Sequence, residues 1–131
     1  IKGKRLFEIN QKYYFGDLGL RNTIIPFKQI DIAKVLENLV FMHLKIQGFD
    51  IKVGQINNNE IDFVAEKNGD LLYIQVAYLI IDEKTKKREF ENLLNIKDNF
   101  RKIVVSMDEF AGGNYMGIEH MHVLDFLSKE L

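Results

Sequence analysis

The sequence predicts an α/β fold, a mixed β-sheet flanked by helices, and three observations carry that expectation. Segments with helical apolar spacing alternate with β-rich segments, and crossovers between strands not joined as hairpins need helices to cover the sheet faces. Residues 60–79 place two apolar-rich runs on either side of Lys67-Asn68-Gly69-Asp70. An Asn-Gly pair tolerates positive φ at both central positions of a tight hairpin turn. Lys102-Ile-Val-Val-Ser-Met107 is a β-branched run of the kind found in buried strands.

Taken in order, Arg5 to Ile9 and Lys12 to Asn22 read as a short strand ending in a turn at Gly16-Asp17 and Gly19, and Pro26 sits in a connector. A helix is expected from Asp31, a plausible N-cap, to Gln47, with Gly48 at its C-terminal stop. Ile32, Val35, Leu36, Leu39, Val40, His43 and Ile46 make one apolar arc, Lys34, Asn38 and Lys45 a polar stripe, and Glu37 falls just outside the arc. Strands follow at 49–56 and on both sides of the Asn-Gly turn. Strict alternation puts Tyr73, Gln75, Ala77 and Leu79 on one face, and Asp62 with Val64 against Ile61 with Phe63. A helix with a charged first half begins after Ile81 and keeps Phe90, Leu93 and Leu94 at helical spacing. Beyond the run at 102–107, a glycine-rich loop over 112–117 reads as a flexible connection, then a strand at 118–123 and a helix at 125–131 close the chain.

With 131 residues the chain supports one core and one domain, 1–131. An apolar content of 47% with 28% charged residues is a globular balance. The net charge of −1 supplies no overall basic footprint for nucleic acid. Cysteine is absent, which excludes disulfides and thiolate zinc sites. No apolar run has the length of a membrane span and no secretory leader pattern is present, so no membrane partner and a cytoplasmic location are expected. The first residue is Ile rather than Met, which suggests a fragment of a longer protein.

Glu37, Asp62 and Gln75 lead the candidate functional residues. Hard cations such as Mg²⁺ or Mn²⁺ take oxygen ligands, and two carboxylates plus an amide carbonyl, completed by water, form a workable set. Each has a structural alternative: a loop-bonded Asp, a satisfied buried amide, a solvated helix margin. His120 and His122 alternate on one strand face, a zinc-compatible spacing without a third ligand in view. The Gly112 to Gly117 loop lacks the context of a phosphate-binding loop, and no Gly-Lys-Ser/Thr motif occurs in the chain.

Val35-Leu-Glu37-Asn-Leu-Val, Glu60-Ile-Asp62-Phe-Val and Tyr73-Ile-Gln75-Val, with Tyr14-Phe-Gly-Asp17-Leu-Gly19-Leu-Arg21-Asn upstream, resemble the C-terminal domain of unknown function that follows the ATPase module in AAA-type, archaeal-style ATPases of bacteria and archaea. That domain is similar to the PD-(D/E)xK nuclease superfamily. The resemblance implies a restriction-endonuclease-like core and an ATP-binding module elsewhere in the same protein. It also implies catalytic and metal-holding roles for Glu37, Asp62 and Gln75. Ala77 stands where the superfamily pattern has its lysine, so the resemblance implies a degenerate site unless a lysine comes from the following helix, for which Lys86 is the candidate. Lys84, Lys86, Lys87 and Arg88 are also the best local basic patch for DNA or another nucleic acid. The leading expectation is a nuclease-like accessory domain that binds nucleic acid or a partner. An active Mg²⁺- or Mn²⁺-dependent nuclease, and a protein-interaction or homo-oligomerisation module, are the alternatives.

Overall fold

A computed structural model describes residues 29–56, 59–80, 82–109 and 111–131. The strand and turn expected within residues 5–22, and the Pro26 connector, lie outside the described residues. Helix α1 (Gln29–Ile46) leads into the antiparallel strands β1 (Asp50–Ile56), β2 (Asn59–Lys67) and β3 (Asp70–Val76). Helix α2 (Glu83–Leu94) crosses over to β4 (Arg101–Ser106), and β5 (Asn114–Tyr115), β6 (Ile118–His122) and α3 (Val123–Ser128) complete the chain. The six strands form one mixed sheet in the order β1-β2-β3-β4-β6-β5. The expected α/β architecture with a mixed sheet flanked by helices is what the chain adopts.

Helix α1 begins two residues earlier than expected and ends as its sequence dictates. Gly48 adopts φ +90°, its N–H donates to the Lys45 carbonyl, and the Phe49 N–H reaches the Leu44 carbonyl at 3.0 Å. This is the paired closure that a glycine just past a helix end makes available, and the buried Phe49 and Leu44 side chains accompany it. The buried face differs from the expected arc: Leu36, Val40, Phe41 and Leu44 are buried, while Leu39 is 41% and Ile46 79% exposed. Apolar residues nearly encircle this helix, so periodicity alone does not centre the face. The contact of Phe41 with the fully buried Phe63, ring centroids 6.3 Å apart, lies on the face that is buried. Asn38, assigned above to the polar stripe, is instead buried, and among the described residues neither end of its amide has a hydrogen-bond partner.

The hairpin turn is as read, with Asn68 at φ +55° and Gly69 at φ +86° joining paired Lys67 and Asp70. The alternation along β2 is not. Opposite β1 the register slips between Lys52↔Val64 and Gly54↔Ile61, so β2 carries one extra residue there. Ile61 therefore packs with Val64 in the cluster beneath α2, whereas Phe63 and Ala65 belong to the cluster beneath α1 and α3. Asp62 sits within this irregularity.

Two cores result. Phe63, Ile74, Ile103, Val105 and Phe126 fill the α1 and α3 side, and Ile61, Tyr73, Phe90, Leu93, Val104 and Ile118 fill the α2 side. Burial of each large side chain contributes about 1.5–3 kcal/mol. The parallel pairs β3/β4 and β4/β6 form the centre. The 112–117 segment contains β5, a strand not foreseen, paired with β6 through a turn at Met116 (φ +52°) and Gly117 (φ +92°). Helix α3 starts at Val123 rather than 125, because His122 caps it by accepting the Leu124 N–H on Nδ1, and it stops at Ser128, where Lys129 turns extended.

Gly54 faces the extra residue of β2, and a Cβ added there would lie 2.5 Å from Val64 Cγ2. Gly54→Ala should destabilise the fold by about 1–3 kcal/mol in urea titration. The double change with Val64→Ala should recover part of that loss; additive losses would show that the close approach is not the cause.

Candidate functional site

Where β2 and β3 stop pairing, side chains take over the ladder. Backbone pairing extends to Phe63↔Ile74. One position further on, the Asp62 N–H donates to Gln75 Oε1 at 3.2 Å, and the Val76 N–H donates to Asp62 Oδ2 at 2.8 Å. The irregularity of β2 turns the Asp62 carboxylate toward the neighbouring strand's backbone. Gln75 is buried on the α2 side and the carbonyl end of its amide closes the exchange.

Burial pushes the Asp62 carboxyl up to about 7, against the lowering effect of the Val76 hydrogen bond, and the charges of Glu37, Glu89 and Glu60 add to the rise. Burial also raises Glu37, with Lys34 opposing and Glu60 reinforcing the shift. Glu37 lies between Leu36, Val40, Phe41 and Leu44 on the buried face of α1, not outside it. The structure thus joins Asp62 and Gln75 directly, and the charge of Glu37 on α1 reaches Asp62. It adds Glu60 and Glu89, which the sequence reading did not select. Glu60, two residues before Asp62, and Glu89, beside the core residue Phe90, were visible as neighbours of chosen positions.

One expectation needs correcting. Lys86 does not supply the missing ammonium: its Nζ stands 4.8 Å from the centroid of the Tyr115 ring, and Glu89, not a lysine of α2, is the helix residue whose charge reaches Asp62. The two histidines do not share a metal. His122 Nδ1 caps α3, His120 Nε2 lies 2.8 Å from Ser106 Oγ, and among the described residues no three His, Cys, Asp or Glu side chains are grouped to hold an ion. Ala77 is buried and its N–H donates to the Val105 carbonyl at 2.9 Å. In the basic patch, Lys84, Lys87 and Arg88 are exposed, and Arg88 pairs with Glu89 at 3.6 Å.

A serine, a histidine and an aspartate do meet at the ends of β4 and β6. Ser106 is fully buried and donates to Asp108 Oδ2 at 2.9 Å, while Asp108 accepts the Ile80 N–H on both oxygens at 3.0 and 2.9 Å. Asp108 approaches the Nε2 side of His120, at 3.7 Å, rather than orienting the ring through Nδ1. A nucleophilic triad needs the opposite arrangement and an accessible hydroxyl. Burial lowers the His120 pKa, Asp108 opposes that and Lys86 reinforces it. The trio is a buttress that ties the exit of β3 to the exit of β4.

The sign of the Asp62 shift gives a test. A carboxyl raised from 3.8 to about 7 favours the fold when protonated, so its stabilising contribution is complete below pH 3.8 and is lost as pH rises through 7. Asp62→Asn keeps an acceptor for the Val76 N–H. In chelator-treated buffer it should stabilise the protein by about 2 kcal/mol at pH 8 and by almost nothing at pH 4, read from urea midpoints. Destabilisation at pH 8 would reject the raised Asp62 carboxyl.

Comparison with known proteins finds a relative in Haemophilus influenzae, described only as an uncharacterized protein, that is 41% identical over 127 residues. The match takes in 97% of this chain, and the chain spans 31% of the relative's length. No family model matches the chain. No solved structure matches it.

Proposed function

We propose that this chain is a nuclease-like accessory domain with a restriction-endonuclease-like core, which engages nucleic acid through a divalent cation and cleaves it poorly. The observation that carries the reading is the corner itself. Asp62 and Gln75 are interlocked where two strands part, burial raises the Asp62 and Glu37 carboxyls, and the Glu37 charge adds to the rise of Asp62. Carboxylates gathered in this way are unfavourable alone and are relieved by a cation.

The donor set tells which cation fits. All three groups offer oxygen, and without a third convergent acid a closed protein cage does not fit. A partly hydrated Mg²⁺ or Mn²⁺, held by Glu37 and Asp62 with the Gln75 carbonyl nearby and sharing a phosphate ligand, does fit. When bound, such an ion neutralises phosphate charge and polarises its oxygens. The chain's own part is to fix the two strands and to hold Asp62 ready to ionise. Poor cleavage follows from Ala77, which brings no ammonium, and from Lys86, which is engaged with Tyr115. The exposed Lys84 and Lys87 supply phosphate contacts at the edge of α2. On the same reading the ATPase module suggested by the family resemblance belongs to the remainder of a longer protein.

The test is binding of labelled single- and double-stranded DNA with and without Mg²⁺ at fixed ionic strength. Mg²⁺ should tighten binding by roughly tenfold, a gain of about 1.4 kcal/mol, and Asp62→Asn should abolish that gain. Changing Lys84 and Lys87 to Glu should weaken binding in a salt-dependent way. Binding indifferent to Mg²⁺ would reject the cation role. Rapid cleavage removed by Asp62→Asn would establish an active nuclease in place of a degenerate one.

A further inference from the structure

A second site lies at the other end of the β2-β3 hairpin. Asp62 and Lys67 are five residues apart on β2, a separation of ~17 Å at the strand rise. There the Lys67–Asp70 turn, the 99–101 segment, Phe49 and Leu131 enclose a groove of about 550 Å³. That volume is within the range of small-ligand sites.

Its lining has a consistent chemistry. Phe100 is 37% exposed, yet its backbone is held on both sides: its N–H donates to Asp98 Oδ1 at 3.0 Å and its carbonyl accepts from Lys102 Nζ at 2.8 Å. Asp98 also accepts from the Tyr73 hydroxyl at 2.6 Å and from Lys102 Nζ at 2.8 Å, so an ordered network holds the Phe100 backbone. Lys67 places its ammonium 5.4 Å from the Phe49 ring centroid and, among the described residues, has no carboxylate partner. Arg101 grips Glu119 through Nε and Nη2, which leaves Nη1 for another acceptor. Asn68 and Asn99 also line the groove, and among the described residues Asp70 is the one acidic side chain of the lining.

We infer that this groove binds one nucleotide unit of single-stranded nucleic acid, with a base against Phe100 and its phosphate near Lys67 and Arg101. A presented aromatic ring stacks on any base, the amides meet base edges, and the cations meet the backbone, whereas a paired base inside a duplex cannot reach the ring. Glu37, Asp62 and Gln75 do not line the groove. The inference therefore stands whether or not the cation site does.

The experiment uses a fluorescent ten-residue oligothymidylate, without divalent cations and at low salt, followed by anisotropy and by amide NMR shifts. Saturable binding is expected, with shifts centred on Asn68, Gly69, Asn99 and Phe100. Phe100→Ala and, separately, Lys67→Glu should each weaken it roughly tenfold, within the range for losing one stacked base. Thymidine monophosphate should shift the same amides at higher concentration if a free nucleotide suffices, and the strand should bind at least about tenfold tighter because its backbone adds contacts. No saturable binding, shifts mapped elsewhere, equal affinity for a duplex or for an oligoglutamate of matched charge, or indifference to both substitutions would each overturn the inference.

Discussion

The exchange of backbone and side-chain hydrogen bonds between Asp62 and the Gln75–Val76 pair is the constraint on which the candidate site depends. It occupies the point where β2 would otherwise leave β3 with unpaired groups, and unpaired buried backbone groups are costly. Satisfying them with side chains fixes both residues at once. Neither can turn away without exposing the other's partner, so the corner is shaped before any ligand arrives. Burial then sets its electrostatics, and the charges of Glu37, Glu89 and Glu60 add to the rise of the Asp62 carboxyl.

The rest of the fold serves to hold that corner from outside. Beyond β3 the chain is clamped by the Ala77 bond to Val105, the Met107 bond to Tyr78 and the Asp108 carboxylate on Ile80. Ser106 and His120 secure Asp108 in turn. On the opposite side, the end of the chain is strapped to α1: Gln47 donates to the Lys129 carbonyl at 2.9 Å and accepts the Leu131 N–H at 2.6 Å. His43 lies edge-on to Phe126 beside that strap, with ring centroids 5.2 Å apart. His43 near the end of α1 and Gln47 just beyond it thus find fixed partners in the last helix and the chain end.

Much of this was legible in the sequence, and the parts that were not share a cause. The Asn68-Gly69 turn, the Gly48 helix stop and the strand at 101–106 are local signals, written by backbone preference and side-chain shape. The rotation of α1, the slip of β2 at Asp62 and the burial of Asn38 are decided by packing partners distant in sequence. Glu37 looked marginal because the arc was centred without knowing that Phe41 meets Phe63. Asp108 carried no pattern of its own, since its partners are Ile80, Ser106 and His120, joined only by the sheet. Of the residues that motif spacing singles out, the fold joins Asp62 to Gln75 by a hydrogen bond, whereas Lys86, singled out by composition, is drawn to Tyr115.

The sheet's change of strand direction at β3 bears on the order in which the molecule assembles. On the β2 side its partner is reached through a two-residue turn. On the β4 side the partner arrives only after α2 has crossed over. Contacts close in sequence form sooner, because less chain entropy must be lost before they are rewarded. The hydrogen bonds that define the acidic corner all belong to the near half. That corner can therefore take shape while the parallel half is still being recruited, and the charged helix α2 docks beside carboxylates already in place.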